Sequence, residues 1–106
     1  METIKSRKEF EQVFGGGRRY NHPLVRICVL RGTGDAGKVA FVAAKRLGNA
    51  VFRNRCKRVL REAARQCDLP IVGADIILFA TRATHGSKPQ EVADALSNLL
   101  KRARVA

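Results

Sequence analysis

The residues best suited to chemistry lie in the segment Arg53–Arg65, "RNRCKRVLREAAR", in which six residues are Lys or Arg and one, Glu62, is acidic. Solvated helix faces usually alternate Glu with Lys, because such pairs stabilise a helix by about 0.2–0.5 kcal/mol each. Here the repulsion between cations is left almost unrelieved. The guanidinium group of Arg engages phosphate bidentately and stacks on bases, which Lys cannot do. The segment therefore predicts a phosphate-binding surface for nucleic acid rather than a solvated face.

No other residues form a set that predicts catalysis or metal binding. His22 and His85 are isolated in loop-like sequence, and no nucleophile is paired with a base. Cys28, Cys56 and Cys67 include no CxxC pair, so neither a zinc site nor a disulfide framework is expected. We expect no catalytic group and no metal or cofactor in this polypeptide.

Length and charge narrow the classes of partner. The chain has 106 residues and a formal net charge of +12, so we expect one domain, 1–106, that binds nucleic acid. A membrane partner is not expected, because no apolar run approaches the roughly 18 residues of a spanning helix. The start of the chain, "METIKSRKEF", has no apolar signal-peptide core. With the cysteine usage, this predicts a cytoplasmic protein.

The basic segment must be carried by a helix. Asn49 is the predicted N-cap and Pro70 lies just beyond the predicted end. Apolar residues recur at three- and four-residue spacing on one side, at Phe52, Cys56, Val59, Leu60, Ala63 and Cys67. The opposite side carries Asn54, Lys57, Arg58, Arg61 and Arg65, flanked by Arg53 and Arg55.

Further elements are predicted around this helix. A first helix begins at Ser6 and stops at the glycines 15–17, and a last helix begins at Ser87 with Pro89 in its first turn. The segment "YNHPLVRICVLRG", residues 20–32, is predicted to be extended, with strand alternation at Val25, Ile27 and Val29. It is predicted to form an antiparallel hairpin with a strand at residues 38–44 across the loop "GTGDAG". Residues 74–81 form a continuous apolar run typical of a buried strand. The order indicates a compact α/β sandwich around one sheet.

Two features leave alternatives open. Phe10 and Phe14 are four residues apart, which suits packing on a sheet but also a stacking platform for unpaired bases. Arg26 lies mid-strand, on the side opposite Val25 and Ile27. Its side of the sheet is therefore at least partly wet, either as one wall of a groove or as a plain solvent face.

At "AAKRLGNAVFRNRCKRVLREAAR" the sequence resembles the bacterial ribonuclease P protein component. The resemblance extends over nearly the whole chain in the order of its elements. It is carried by Lys45, Arg46, Gly48, Asn49, Ala50, Val51, Arg53, Asn54, Arg55, Lys57, Arg58, Arg61 and Glu62.

The resemblance implies a fold and a function. The fold would be an α/β (α+β) two-layer sandwich with one mixed four-stranded sheet and three helices. It would be ribosomal-protein-S5-domain-2-like, with a left-handed β-α-β crossover through the basic helix. The function would be that of the ribonuclease P protein subunit, which assists endonucleolytic removal of the 5′ leader from precursor tRNA. The catalytic centre and its magnesium ions would lie in the RNA subunit, with no obligate protein partner.

The resemblance also assigns site residues. Contact with the catalytic RNA would fall to Arg53, Asn54, Arg55, Lys57, Arg58, Arg61 and Arg65, with Arg46 before the helix. The sheet and first helix would form a cleft for the single-stranded leader, which assigns Phe10, Phe14, Arg26 and Lys45. Family members often have an aromatic residue where this chain has Cys28, so one stacking contact would be lost. The alternative is a general RNA-binding or ribosomal-type protein without a processing role; a DNA-binding module and a self-sufficient hydrolase fit less well.

Overall fold

The computed structural model describes residues 3–4, 6–32 and 37–105. Two antiparallel pairs and one parallel pair of strands form a four-stranded mixed sheet. The helices of this part are α1 (Arg7–Gly16), α2 (Ala50–Gln66), α3 (Arg82–Gly86) and α4 (Pro89–Arg102), with a 3₁₀ turn at Lys45–Leu47. The strands are β1 (Arg18–Asn21), β2 (Val25–Arg31), β3 (Val39–Val42) and β4 (Ala74–Ala80).

The strand order is β1-β2-β4-β3, so the predicted hairpin between β2 and β3 is wrong. The strand β4 lies between them, antiparallel to β2 and parallel to β3. Its apolar run explains the central position, because Ile76, Ile77 and Leu78 are fully buried and need cover on both faces of the sheet. The hairpin of this sheet joins β1 to β2. Residues 33–36 of the loop "GTGDAG" lie outside the described residues.

The parallel pair β3 and β4 is connected through α2. A parallel connection requires a crossover rather than a tight turn, and α2 supplies it. The crossover predicted for the basic helix is therefore present, and its left-handed sense stays a prediction. This arrangement fixes α2 against the sheet and leaves its other side exposed.

The sheet separates two apolar clusters. On one face, Ile27, Ile76 and Leu78 pack with residues of α2 and α4, among them Leu60 and Leu96. On the opposite face, Val13 of α1 covers Cys28 and Ile77. The expected α+β class with a mixed four-stranded sheet is confirmed, and α1 covers part of the second face.

The helix termini agree with the predicted caps at two of three positions. Asn49 Oδ1 accepts the Phe52 N–H at 2.9 Å, and Ser6 Oγ accepts the Glu9 N–H at 3.0 Å. The Glu9 carboxylate accepts from Lys38 Nζ at 2.9 Å, and this bond lowers the pKa of Glu9 and ties α1 to the residue before β3.

The predicted N-cap at Ser87 is wrong. Ser87 instead follows α3, a short helix that the sequence pattern did not predict, and its hydroxyl donates to the Ala83 carbonyl at 2.7 Å. The helix α4 begins one residue later, with Lys88 as N-cap and its N–H donating to Glu91 Oε1 at 2.9 Å. Pro89 lies in the first turn as expected.

The cysteines Cys28, Cys56 and Cys67 are free thiols. Burial raises the pKa of each of them, which keeps them protonated and suits their use as small apolar residues. Among the described helices, none has the length and apolar character needed to cross a membrane.

Two glycines near the end of α1 should respond oppositely to alanine. A Cβ on Gly17 would lie 2.5 Å from the Val13 carbonyl oxygen and 2.8 Å from Cys28 Sγ, whereas one on Gly15 meets nothing within 4 Å. Gly17→Ala should destabilise the fold by about 1–3 kcal/mol through overpacking. Gly15→Ala should stabilise it by about 0.5–1 kcal/mol, because alanine loses less backbone entropy in a helix. Urea denaturation of both variants tests this, and shifts of the same sign would contradict the packing at Gly17.

Candidate nucleic-acid interface

The basic side of α2 faces outward. Its buried side consists of Cys56, Val59, Leu60, Ala63 and Ala64. This burial fixes the rotation of the helix about its axis, so the cations cannot turn away from solvent. The exposed residues are Asn54, Arg55, Arg58, Arg61 and Arg65, while Arg53 and Lys57 are partly buried.

The arginines of α2 differ in how freely they can meet phosphate. Arg65 Nη2 lies 2.8 Å and 2.6 Å from the two carboxylate oxygens of Glu62. The Arg65 guanidinium lowers the pKa of Glu62 through this contact, and Glu62 in turn raises the pKa of Arg65. Arg58 has no ion pair or hydrogen bond within the described part of the chain. The charge of Arg58 is therefore more available to a partner than that of Arg65.

The first turns of α2 are braced by α3. The rings of Phe52 and His85 stack with centroids 4.1 Å apart and planes 4° apart. Arg55 Nε donates to the His85 carbonyl at 3.4 Å. Arg53 Nε is buried without a hydrogen-bond partner in the described structure. Arg55, a predicted RNA contact, is thus held partly by the protein itself, whereas no described hydrogen bond holds Arg53 Nε.

A cleft opens beside α1 on the second face of the sheet. Because α1 covers only the end of that face around Cys28 and Ile77, the other end stays open. The cleft has a volume of about 500 Å³. Its lining combines aromatic, apolar and cationic side chains: Phe14, Arg19, Asn21, Arg26, Ile27, Val42, Ala44, Arg46, Phe79 and Ala80.

Aromatic rings and a guanidinium group meet at the α1 wall of the cleft. Phe14 is 41% exposed, and the Arg19 guanidinium carbon lies 4.3 Å from its ring centroid. Arg19 Nη2 also donates to the Phe14 carbonyl at 3.2 Å. Phe10 stacks on Phe14 at 6.1 Å, and Phe79 meets it edge-on at 5.9 Å. These contacts hold the rings in place before any partner binds.

A second groove of about 390 Å³ adjoins the cleft and shares Arg26 and Arg46 with it. It adds a further cation, Arg82, at the start of α3. The wall is held by the hydroxyl of the fully buried Thr84, which donates to the Leu24 carbonyl at 2.7 Å.

The structure brings together only part of the predicted cleft set. Phe14 and Arg26 line the cleft, and so does Arg46, which was assigned to the catalytic RNA. Lys45 is exposed on the 3₁₀ turn but is not among the lining residues. Phe10 is partly buried against the cluster under α1 and supports Phe14 from behind.

Among the lining residues that the sequence reasoning missed are the cations Arg19 and Arg82, the aromatic Phe79 and the polar Asn21. Phe79 was hidden in the apolar run, although its pairing with Arg26 places both on the same face. Cys28 is fully buried beneath α1, where its thiol donates to the Val13 carbonyl at 3.2 Å. The aromatic residue of this sheet face that reaches the cleft is therefore Phe79, one strand away from Cys28.

The outward side of α2 and the cleft with its adjoining groove have the composition of a binding site for RNA. No acidic residue of the described chain lines either groove on the cleft side. Cations beside exposed rings suit unpaired nucleotides, because phosphates meet the cations and bases stack on the rings. Among the described residues, no group of three or more His, Cys, Asp or Glu side chains could hold a metal ion.

Comparisons with known proteins agree with this geometry. A family model described as Ribonuclease P matches residues 1–104. A ribonuclease P protein component from Gluconacetobacter diazotrophicus is 35% identical over 105 residues, covering 96% of this chain and 90% of the relative.

Solved structures match over the same extent. The ribonuclease P protein of Staphylococcus aureus superposes with a TM-score of 0.81 at 25% identity, covering 99% of this chain and 97% of that one. The corresponding protein of Thermotoga maritima gives a TM-score of 0.79 at 25% identity, covering 96% and 97%. The chain therefore belongs to the ribonuclease P protein family.

Proposed function

We propose that this chain assists a catalytic RNA in removing the 5′ leader from precursor tRNA by holding both RNAs at once. As a ribonuclease P protein component, it works with ribonuclease P RNA. In the proposal, the outward side of α2 binds that RNA, while the cleft beside α1 receives the single-stranded leader. The observation that carries the proposal is the acid-free cleft of about 500 Å³, in which arginines and phenylalanines meet. The holoenzyme would act in the cytoplasm.

The chemistry is assigned to the RNA subunit and its magnesium ions. Two polyanions repel each other, and a protein with a net charge of +12 that touches both screens this repulsion. It would lower the Kd for substrate and the magnesium concentration that cleavage requires, without supplying a catalytic group.

Within the proposal, Arg46 moves from the catalytic-RNA set to the leader cleft, because it lines the cleft together with Arg26. Lys45, which is exposed but does not line the cleft, becomes a peripheral contact. Phe79 joins Phe14 as a stacking surface, and Arg19 positions the Phe14 ring.

Cleavage of a precursor tRNA with a 5′ leader at low magnesium tests the function. Three samples are compared: a bacterial ribonuclease P RNA alone, this protein alone, and the mixture. We expect activity only in the mixture, because RNA–RNA repulsion is unscreened without the protein. Activity of the protein alone would contradict an RNA-borne catalytic centre. A mixture no better than the RNA across several ribonuclease P RNAs would favour a general RNA-binding role.

Arg58 and Arg65 provide a matched pair for the α2 surface. Arg58→Ala should weaken binding to the catalytic RNA by about 2- to 5-fold, the scale of one exposed ion pair. Arg65→Ala should have a smaller effect, because Glu62 already engages that guanidinium.

In a Glu62→Gln background, Arg65→Ala should weaken binding to the catalytic RNA more than it does in the wild-type background. The loss of affinity should then approach that caused by Arg58→Ala, as measured by titrating each protein onto the RNA. Equal effects of Arg65→Ala in both backgrounds would show that the Glu62 contact does not limit Arg65.

Phe79→Leu tests the cleft while keeping an apolar side chain on β4. Loss of one base–ring stack should weaken binding of leader-bearing precursor tRNA to the holoenzyme on the order of 10-fold. Binding of mature tRNA, which has no leader, should be unchanged. An equal loss for both ligands would place the defect in assembly of the holoenzyme rather than in leader binding.

A further inference from the structure

A second basic surface lies at the end of the sheet opposite the cleft. Arg31 ends β2 and Arg104 follows α4, and the two line one groove of about 290 Å³. Arg31 also lines an adjoining groove of about 310 Å³ together with Arg18. We refer to three residues as the distal arginines: Arg18, Arg31 and Arg104.

The distal arginines are not engaged by the protein. All three are exposed, and none makes an ion pair or side-chain hydrogen bond within residues 3–4, 6–32 and 37–105. Among the described residues, no acidic side chain lines either groove. Asp68 and Asp94 line a different groove, between α2 and α4. Within the described residues, the distal arginines therefore have no acidic neighbour in their grooves, and their charge is available to an anion.

The distal grooves and the cleft lie on opposite faces of the sheet, and both are lined by residues of β1, one of its edge strands. Neighbouring residues of a strand point to opposite faces, so Arg19 lies on the cleft side and Arg18 on the distal side. The end of α1 also borders both regions, since Phe14 lines the cleft and Gly16 lines the groove that contains Arg18 and Arg31.

The distal grooves also offer an apolar contact and suit a flexible strand. Val72, on the rim of the groove between Arg31 and Arg104, is 81% exposed. A cationic track with an exposed apolar side chain fits single-stranded RNA, whose phosphates and base faces are both accessible. A duplex would present its phosphates but not its base faces.

We propose that the distal arginines bind the 5′ part of a long leader, beyond the nucleotides held in the cleft. The inference rests on the proposed function of the cleft. From Arg26 to Arg31, β2 extends about 17 Å. Arg26 and Arg31 are an odd number of residues apart, so their side chains face opposite sides of the sheet and a leader must also pass around β1 to reach Arg31. At roughly 3.4 Å per nucleotide of a stacked strand, that path needs more than about five nucleotides. Short leaders therefore end before the distal arginines, and long leaders reach them.

The test compares leaders of about 3 and about 12 nucleotides, lengths chosen on either side of that span. The variant is Arg31→Gln/Arg104→Gln, and the matched control is Lys8→Gln/Lys88→Gln, which removes two exposed cations outside both grooves. Each protein is first assembled with catalytic RNA, and its affinity for that RNA is measured without substrate. Circular dichroism establishes that the variants fold.

We expect the distal variant to bind long-leader substrate about 5-fold more weakly than the control does, with short-leader binding unchanged. The slope of log K against log salt should become less negative by about 1.4, since two single-strand phosphate contacts are lost. Equal weakening with both leaders, or weakened binding to the catalytic RNA, would assign the distal arginines to another RNA contact and overturn the inference. No change with either leader would show a merely solvated surface.

The wild-type protein separates this inference from the proposed function. If wild-type holoenzyme binds precursor and mature tRNA equally, the leader cleft itself is wrong. If it binds short-leader substrate more tightly than mature tRNA but binds long-leader substrate no more tightly still, leader binding in the cleft is supported and only the distal contact is contradicted.

Discussion

Burial of one side of α2 is the constraint on which the rest of the molecule depends. Leu60, Ala63 and Ala64 are fully buried between the sheet and α4, and this contact sets the rotation of a helix whose other side is almost entirely cationic. Mutual repulsion of those cations opposes helix formation, and local pairing relieves little of it. The apolar contact must therefore supply the stability that the outer side lacks, and the charge stays directed at a partner.

The sequence predicted where the helices and strands lie better than it predicted which strands pair. Caps and periodicity located α1, α2 and β4, because these signals act within a few residues of one another. Strand pairing is not local, and period-two alternation does not say which strands are neighbours. The central position of β4 could have been inferred from its uninterrupted apolar run, since a strand buried on both faces rarely lies at an edge. The helix α3 depends on Thr84 hydrogen bonding to Leu24, a contact distant in sequence.

The candidate site also has one part that local sequence signals predict and one part that they do not. The α2 surface was predictable, because charge and helical period lie within one segment. The cleft was not, because it assembles residues from α1, all four strands and the 3₁₀ turn. The turn decides that Arg46 rather than Lys45 faces the cleft, and no pattern in "AAKRLGN" distinguishes two adjacent cations. Phe79 escaped notice because an aromatic residue in an apolar strand resembles core, and only its pairing with Arg26 shows that it faces the open end.

The distribution of charge links these observations. Of the acids in the described chain, Glu9, Glu11 and Glu62 are bound to cations of the same surface. Asp68 and Asp94 line the groove between α2 and α4. The grooves lined by arginine at either end of the sheet contain no acid among their described lining residues. A uniform excess of cations would attract any polyanion without orientation, whereas separate basic surfaces on the two sides of β1 favour an RNA strand that passes around that edge. Under the proposed function, in which the protein holds substrate beside a catalytic RNA, that path matters more than the total charge.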